Sequence, residues 1–284
     1  MSQIKKTSLY NYLDIYDLNL LNFFYFLTKK RGYLLSYKHL EDKALKLRQD
    51  TFHAYIEHGE AHFGGDFSMI EMLLALHEEV LKPEDKFILS KAHSSYPYCI
   101  YLRDNGFNVK VRTHLELDPE NNIHCTTGSL GHGLPISLGM ALARKMQNNK
   151  GNIYVMMSDG ECQEGTTWES LLIAAKHKLD NLIVMIDYNK VQALTTLEDG
   201  LPLDNLAAKF EAFNWHTIEI MDGHSFDEIV SVLEQENLSL KPQVLIFNTI
   251  KGKGVKPFEG DPVWHARKVK GEDAKIIKKE LGLL

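Results

Sequence analysis

The sequence predicts an α/β protein built on a parallel sheet with helices on both faces. Three observations carry this expectation. Short apolar runs, "KFILS" (86–90), "NIYVMM" (152–157) and "NLIVMID" (181–187), have the length and near-continuous apolar character of strands buried on both sides. Helical patterns alternate with them, as crossovers between parallel strands require. The chain has 284 residues, 44% hydrophobic and 25% charged, enough to bury a full core around one such sheet.

Residues 1–37 read as a separate N-terminal helical extension. Its apolar stretch "LNLLNFFYFL" (18–27) holds only ten residues, with Asn19 and Asn22 among them. A membrane span needs about 20, so an amphipathic helix packed on protein is expected, and no membrane. The domain proper, 38–284, opens with the helix "HLEDKALKLRQDTFHAYIEHG" (39–59). "MIEMLLALHEEVL" (69–81) repeats its apolar residues at helical spacing before the first strand. "SLGMALARKMQNN" (137–149) precedes the second strand and "WESLLIAAKHK" (168–178) the third. "LDNLAAKFEAF" (203–213) leads to "WHTIEIM" (215–221), whose polar alternation marks an outer strand. "FDEIVSVLEQE" (226–236) then joins it to a late apolar run, "QVLIFNT" (243–249).

The net charge is −6, from 32 basic and 38 acidic residues, which disfavours nucleic acid as a partner. The basic run "TKKRGY" (28–33) is too short to reverse that. Three cysteines without CxxC spacing imply no disulfide framework and a reducing, cytoplasmic compartment.

Chemistry concentrates at two strand ends. Asp159-Gly160 follows the second strand in "SDGECQEG" (158–165), and Asn189 follows the third in "DYNKVQ". One strand–helix–strand unit fits between them, so both emerge at the carboxyl edge of the sheet, where ligands of open α/β sheets sit. The Asp159 carboxylate, the Asn189 amide oxygen and the Val191 carbonyl form a set of hard oxygen donors. Magnesium suits it, with calcium as the alternative, completed by phosphate oxygens and water. Gly160, lacking a side chain, lets a phosphate approach its N–H. Taken alone, Asp159 also reads as a helix cap and Asn189 as a turn residue. His62, His93 and His265 lie at apparent element boundaries, where a side chain reaches a site and exchanges protons near neutral pH. His39, His53, His58 and His77 fall within helical patterns, where surface or structural roles suit them.

"SDGECQEGTTWES" followed by "HKLDNLIVMIDYNKVQ" resembles the thiamine-diphosphate motif of transketolases. "GEAHFGGDFSMIEMLLAL", "LSKAHSSYPYCIYL", "IHCTTGSLGHGLPISLGMALA", "EIMDGHSFDEI" and "GKGVKPFEGDPVWHARKV" are similar to further segments of that family, in order, over roughly residues 40–284. The resemblance implies a thiamine-diphosphate-binding (PP-type) domain. It implies thiamine diphosphate and Mg2+ as cofactors, with Asp159, Asn189 and Val191 as metal ligands. Gly160, His93 and His265 would hold the diphosphate, and Leu130 would pack near the cofactor. His62, His265 and His114 would serve catalysis along the substrate channel. Glu164 and Glu169 would face a dimer interface that communicates with the cofactor's pyrimidine side. Ser158 stands where the family has glycine, Ala61 and Phe63 flank His62 in place of glycine and proline, and His132 replaces a glutamine. "THLELD" lacks the proline that usually follows the counterpart of His114.

The resemblance covers only the diphosphate-binding domain of a transketolase. It therefore implies the N-terminal subunit of a split enzyme, active with a separate subunit that carries the pyrimidine-binding (Pyr) domain, as an α2β2 assembly. Such an enzyme transfers a two-carbon ketol unit from a ketose to an aldose, with sugars or sugar phosphates as substrates. A deoxyxylulose-phosphate-synthase-like or other thiamine-dependent ketol or acyl transferase subunit is an alternative. A non-catalytic cofactor-binding module is another.

Overall fold

The computed structural model describes residues 37–59 and 62–284. The extension expected over 1–37 therefore lies, apart from Tyr37, outside the described residues, as does Ala61. Five parallel strands form one sheet: β1 (Lys86–Leu89), β2 (Ile153–Ser158), β3 (Leu182–Tyr188), β4 (His216–Ile220) and β5 (Gln243–Asn248). Their order is β1-β2-β3-β5-β4. All five predicted strands are present, and the alternating run forms the edge strand β4. The late apolar run, β5, lies between β3 and β4, which explains why it is buried along nearly its whole length.

The helices are α1 (Lys38–His58), α2 (Phe63–Ser68), α3 (Ile70–Ala75), α4 (Tyr96–Asp104), α5 (Gly133–Met146), α6 (Gly165–Lys176), α7 (Leu206–Ala212), α8 (Phe226–Leu233) and α9 (Gly271–Glu280). On one face Val155, Met157, Val184, Ile186, Val244 and Ile246 pack against Leu134 and Leu138 of α5, Leu171 of α6, and Leu206 and Phe210 of α7. The chain steps from β4 back to β5, so a right-handed crossover places α8 on the opposite face. There it packs on α3, which also packs on α1. Helices thus cover both faces, as the apolar strands demand.

Some helix boundaries differ from the sequence expectation. The pattern over 69–81 resolves into α3 and a π turn at Leu76–Val80. Helix α7 starts at Leu206 because the Asn205 side chain caps it, accepting from the Ala208 N–H at 2.9 Å. Three helices were not expected: the short α2, α4, whose first turn carries Pro97, and the largely charged α9. Among the described residues no helix is long and apolar enough to cross a membrane. Cys99, Cys125 and Cys162 are all free and buried.

Candidate active site

The carboxyl ends of β1, β2, β3 and β5 converge on a cavity of about 310 Å³. Asp159, buried, opens a 3₁₀ turn directly after β2. Its Oδ1 accepts the Gly160 N–H at 2.7 Å and its Oδ2 accepts the Lys190 N–H at 2.6 Å. That second bond ties the β2 loop to the β3 loop beside Asn189. Lys190 takes a left-handed backbone (φ 64), which turns its N–H toward the carboxylate. Asn189 Oδ1 accepts the Val191 N–H at 3.1 Å. The Val191 carbonyl accepts from Lys251 Nζ at 2.6 Å. Asp159, Gly160, Asn189 and Val191 all line the cavity, so the two loop tips meet. A Cβ added at Gly160 would touch nothing nearer than Ser158 Oγ at 4.0 Å, so open space faces this peptide.

Charge is balanced tightly beneath these loops. Asp187, fully buried on β3, pairs with Lys91 Nζ and accepts from Ser68 Oγ at 2.5 Å and from Thr249 Oγ1. Burial pushes its pKa up, but Lys91 and these donors more than offset that and hold it below the usual carboxylate range. Among the described residues Asp159 has no such ion pair. Burial and then the Asp187 charge push its pKa upward, against the Lys190 N–H, the Lys251 charge and the Gly160 N–H. A carboxylate in that state is stabilised by any added cation. Lys251, itself buried, has its pKa lowered chiefly by burial.

Three histidines cluster over the cavity. The rings of His93 and His265 stack at 5.5 Å, and His62 meets them edge-on at 5.7 and 5.9 Å. Burial lowers the pKa of His93 well below its ordinary value and, aided by Lys251, takes His265 down to about 3. These two imidazoles are therefore neutral at physiological pH. His265 Nδ1 receives the Lys251 ammonium at 3.0 Å, leaving Nε2 as the protonated nitrogen. His114 does not line the cavity. It adopts φ 61 and its ring packs against cavity-lining Gly128, where a Cβ would fall 2.7 Å from the His114 Cδ2.

Leu130 and Glu164 line the cavity. Glu169 lies further along α6, exposed and outside it. His132 is exposed at the start of α5. Sequence reasoning missed Lys91, Lys251 and Glu161. Glu161, fully buried, accepts from the Gly131 N–H at 3.0 Å, the Ser158 N–H at 2.9 Å and Ser90 Oγ, which pins the Leu130 loop to the end of β2. Its position three residues after Ser158 in a capping pattern was the available signal. Among the described residues no three His, Cys, Asp or Glu side chains form a metal site; the expected donor set draws on one carboxylate, one amide and one main-chain carbonyl.

The sequence profile of the family described as "Transketolase, thiamine diphosphate binding domain" matches residues 47–284. The chain belongs to the transketolase family. It is similar to a protein of Actinobacillus succinogenes named as one subunit of an apulose-4-phosphate transketolase, 36% identical over 272 residues, covering 88% of this chain and 98% of that one. It is also similar to SqwG of a Clostridium species, named as a 6-deoxy-6-sulfo-D-fructose transketolase component, at 35% identity over 85% of this chain and 96% of that protein. Among solved structures, transketolase from Campylobacter jejuni superposes with a TM-score of 0.76 at 27% identity, over 86% of this chain. This transketolase-family chain spans 42% of the length of that enzyme.

Proposed function

We propose that this chain is the N-terminal, diphosphate-binding subunit of a split, thiamine-diphosphate-dependent transketolase. In this reading it transfers a two-carbon ketol unit from a ketose to an aldose together with a separate subunit that carries the Pyr domain. The observation that carries the reading is the bond from the Lys190 N–H to Asp159 Oδ2, because it joins the two loops whose oxygens would share one ion. The near-complete coverage of relatives named as transketolase subunits supports the split arrangement.

The donor set fits Mg2+: Asp159 Oδ atoms, Asn189 Oδ1 and the Val191 carbonyl each accept hydrogen bonds with a lone pair to spare. Asp159, whose charge Lys251 and two backbone N–H groups only partly offset, would gain most. Gly160, Lys91, His93, Lys251 and His265 line the same cavity and would hold the diphosphate with N–H and ammonium donors. Leu130 would pack against the cofactor. When bound, thiamine diphosphate supplies the carbon nucleophile that attacks a ketose carbonyl. The imidazoles of His62 and His265 would donate to or accept from substrate hydroxyls, with His114 in support from behind Gly128. Glu164 and Glu169 would face the neighbouring subunit.

An α2β2 assembly is part of the proposal, with α6 at the contact between two copies of this chain. Leu172 and Ile173, 61% and 46% exposed, lie midway between exposed Glu169 and Lys176. Pairing α6 antiparallel with itself about a twofold axis there places Glu169 of each copy opposite Lys176 of the other. The substrates are sugars or sugar phosphates, and the three buried free thiols suit a reducing cytoplasm.

Asp159→Ala tests the proposal. In the complex reconstituted with its Pyr-domain partner, calorimetric binding of Mg2+ and of thiamine diphosphate should be lost together. Ketol transfer that persists in that variant, or turnover by the wild-type chain alone, contradicts the reading.

A further inference from the structure

The loop that follows β5, residues 249–254, carries Lys251 into the cavity, yet it is held from the opposite side. His224, between β4 and α8, accepts the Ile250 N–H on Nε2 at 2.8 Å. Its Nδ1–H therefore donates to Glu71 Oε2, at 3.0 Å. Glu71, on α3, is paired with Arg48 of α1 at 2.7 Å. Arg48 Nε in turn donates to the Lys253 carbonyl at 2.9 Å, and its Nη2 donates to the Phe67 carbonyl at 3.2 Å. One ionic cluster thus grips main-chain groups on both sides of Lys251. Its three side chains are 5–8% exposed, and none lines the cavity.

Burying an Arg–Glu pair carries a desolvation cost that an apolar trio of similar volume avoids. An apolar trio would not, however, donate to one peptide and accept from another. The loop is shaped to this grip. Gly254 adopts φ +96, and a Cβ there would fall 2.9 Å from Arg48 Cδ and Nε. On the cavity side the Gly252 N–H bonds the Gly64 carbonyl at 2.9 Å, and a Cβ on Gly64 would fall 2.7 Å from Lys251 Cγ. The Lys251 ammonium lies between the Val191 carbonyl and His265 Nδ1.

We infer that Arg48, Glu71 and His224 are positioning residues for Lys251, setting its ammonium in the diphosphate end of the cavity from outside it. This rests on the proposed function only in what Lys251 would bind; the placement itself is testable without cofactor. The test is acetic anhydride footprinting of the full chain, read by mass spectrometry as the labelling rate of Lys251 against that of Lys91, which is equally buried. His224→Leu should raise Lys251 labelling at least about tenfold, since the variant loses the bonds to both Ile250 and Glu71 and one buried hydrogen bond alone gives about that shift, with Lys91 still protected. His224→Gln, which keeps an acceptor for Ile250 and a donor for Glu71, should restore protection. Glu71→Gln, a milder change that keeps the shape, should give an intermediate rise if the leucine variant does not fold. Unchanged Lys251 labelling in the variants that fold overturns the inference. So does parallel exposure of Lys91, or equal labelling in the leucine and glutamine variants. Because the footprint needs neither metal nor partner, it is independent of whether ketol transfer is found.

Discussion

Lys91 and Asp187 have side chains 1% and 0% exposed, so each is the other's solvent. Lys91→Met should cost about 3–5 kcal/mol, the penalty for leaving a buried charge without its counter-ion, measured by urea denaturation. Adding Asp187→Asn should recover part of that loss. Asp159 and Asn189 stand out in the sequence as polar residues at the ends of apolar strands, and the family resemblance, rather than either residue alone, marks them and the Val191 carbonyl as metal ligands. Lys91 carries no such mark. Lysine is ordinarily a surface residue, and what buries this one is a carboxylate 96 positions later in the chain. Lys251 is hidden the same way, since only the fold places His265 and Val191 against it.

Local patterning revealed the secondary elements better than their neighbours. All five strands are legible as apolar or alternating runs, because each strand's two faces are fixed by what covers it. That β5 inserts between β3 and β4 is a pairing choice, and no single run records it. The π turn at Leu76–Val80 was likewise invisible to a helical period. It carries His77, whose Nδ1 bonds the Leu73 carbonyl at 3.0 Å and whose ring packs on Phe87, Tyr98 and Tyr101. Burial, only partly opposed by that carbonyl, lowers its pKa from 6.5 to about 4. Neutral His77 therefore contributes stability that is fully present above pH 6.5 and is lost as pH falls toward 4, by up to about 3 kcal/mol. Thermal melts across that window should show the decline, and His77→Met should flatten it. A decline of equal size in the variant would assign it to other groups.

At the scale of the whole molecule, the cavity described lies within one chain, and the proposed assembly would set the exposed α6 face against a second copy. If two copies pair there, Lys176→Glu should weaken self-association in the reconstituted complex, seen by sedimentation as a shift toward smaller species. Combining it with Glu169→Lys should restore the pairing, since opposite signs again meet across the twofold. A single substitution without effect on mass would remove α6 from the contact. Within one copy, Asp187 gathers Ser68 from α2, Lys91 from beyond β1 and Thr249 from beyond β5. One knot thus fastens three ropes at the rim of the sheet. Losses from loosening any two of them should sum to less than their separate totals in a double-mutant cycle, because the second cut finds the rigging already slack.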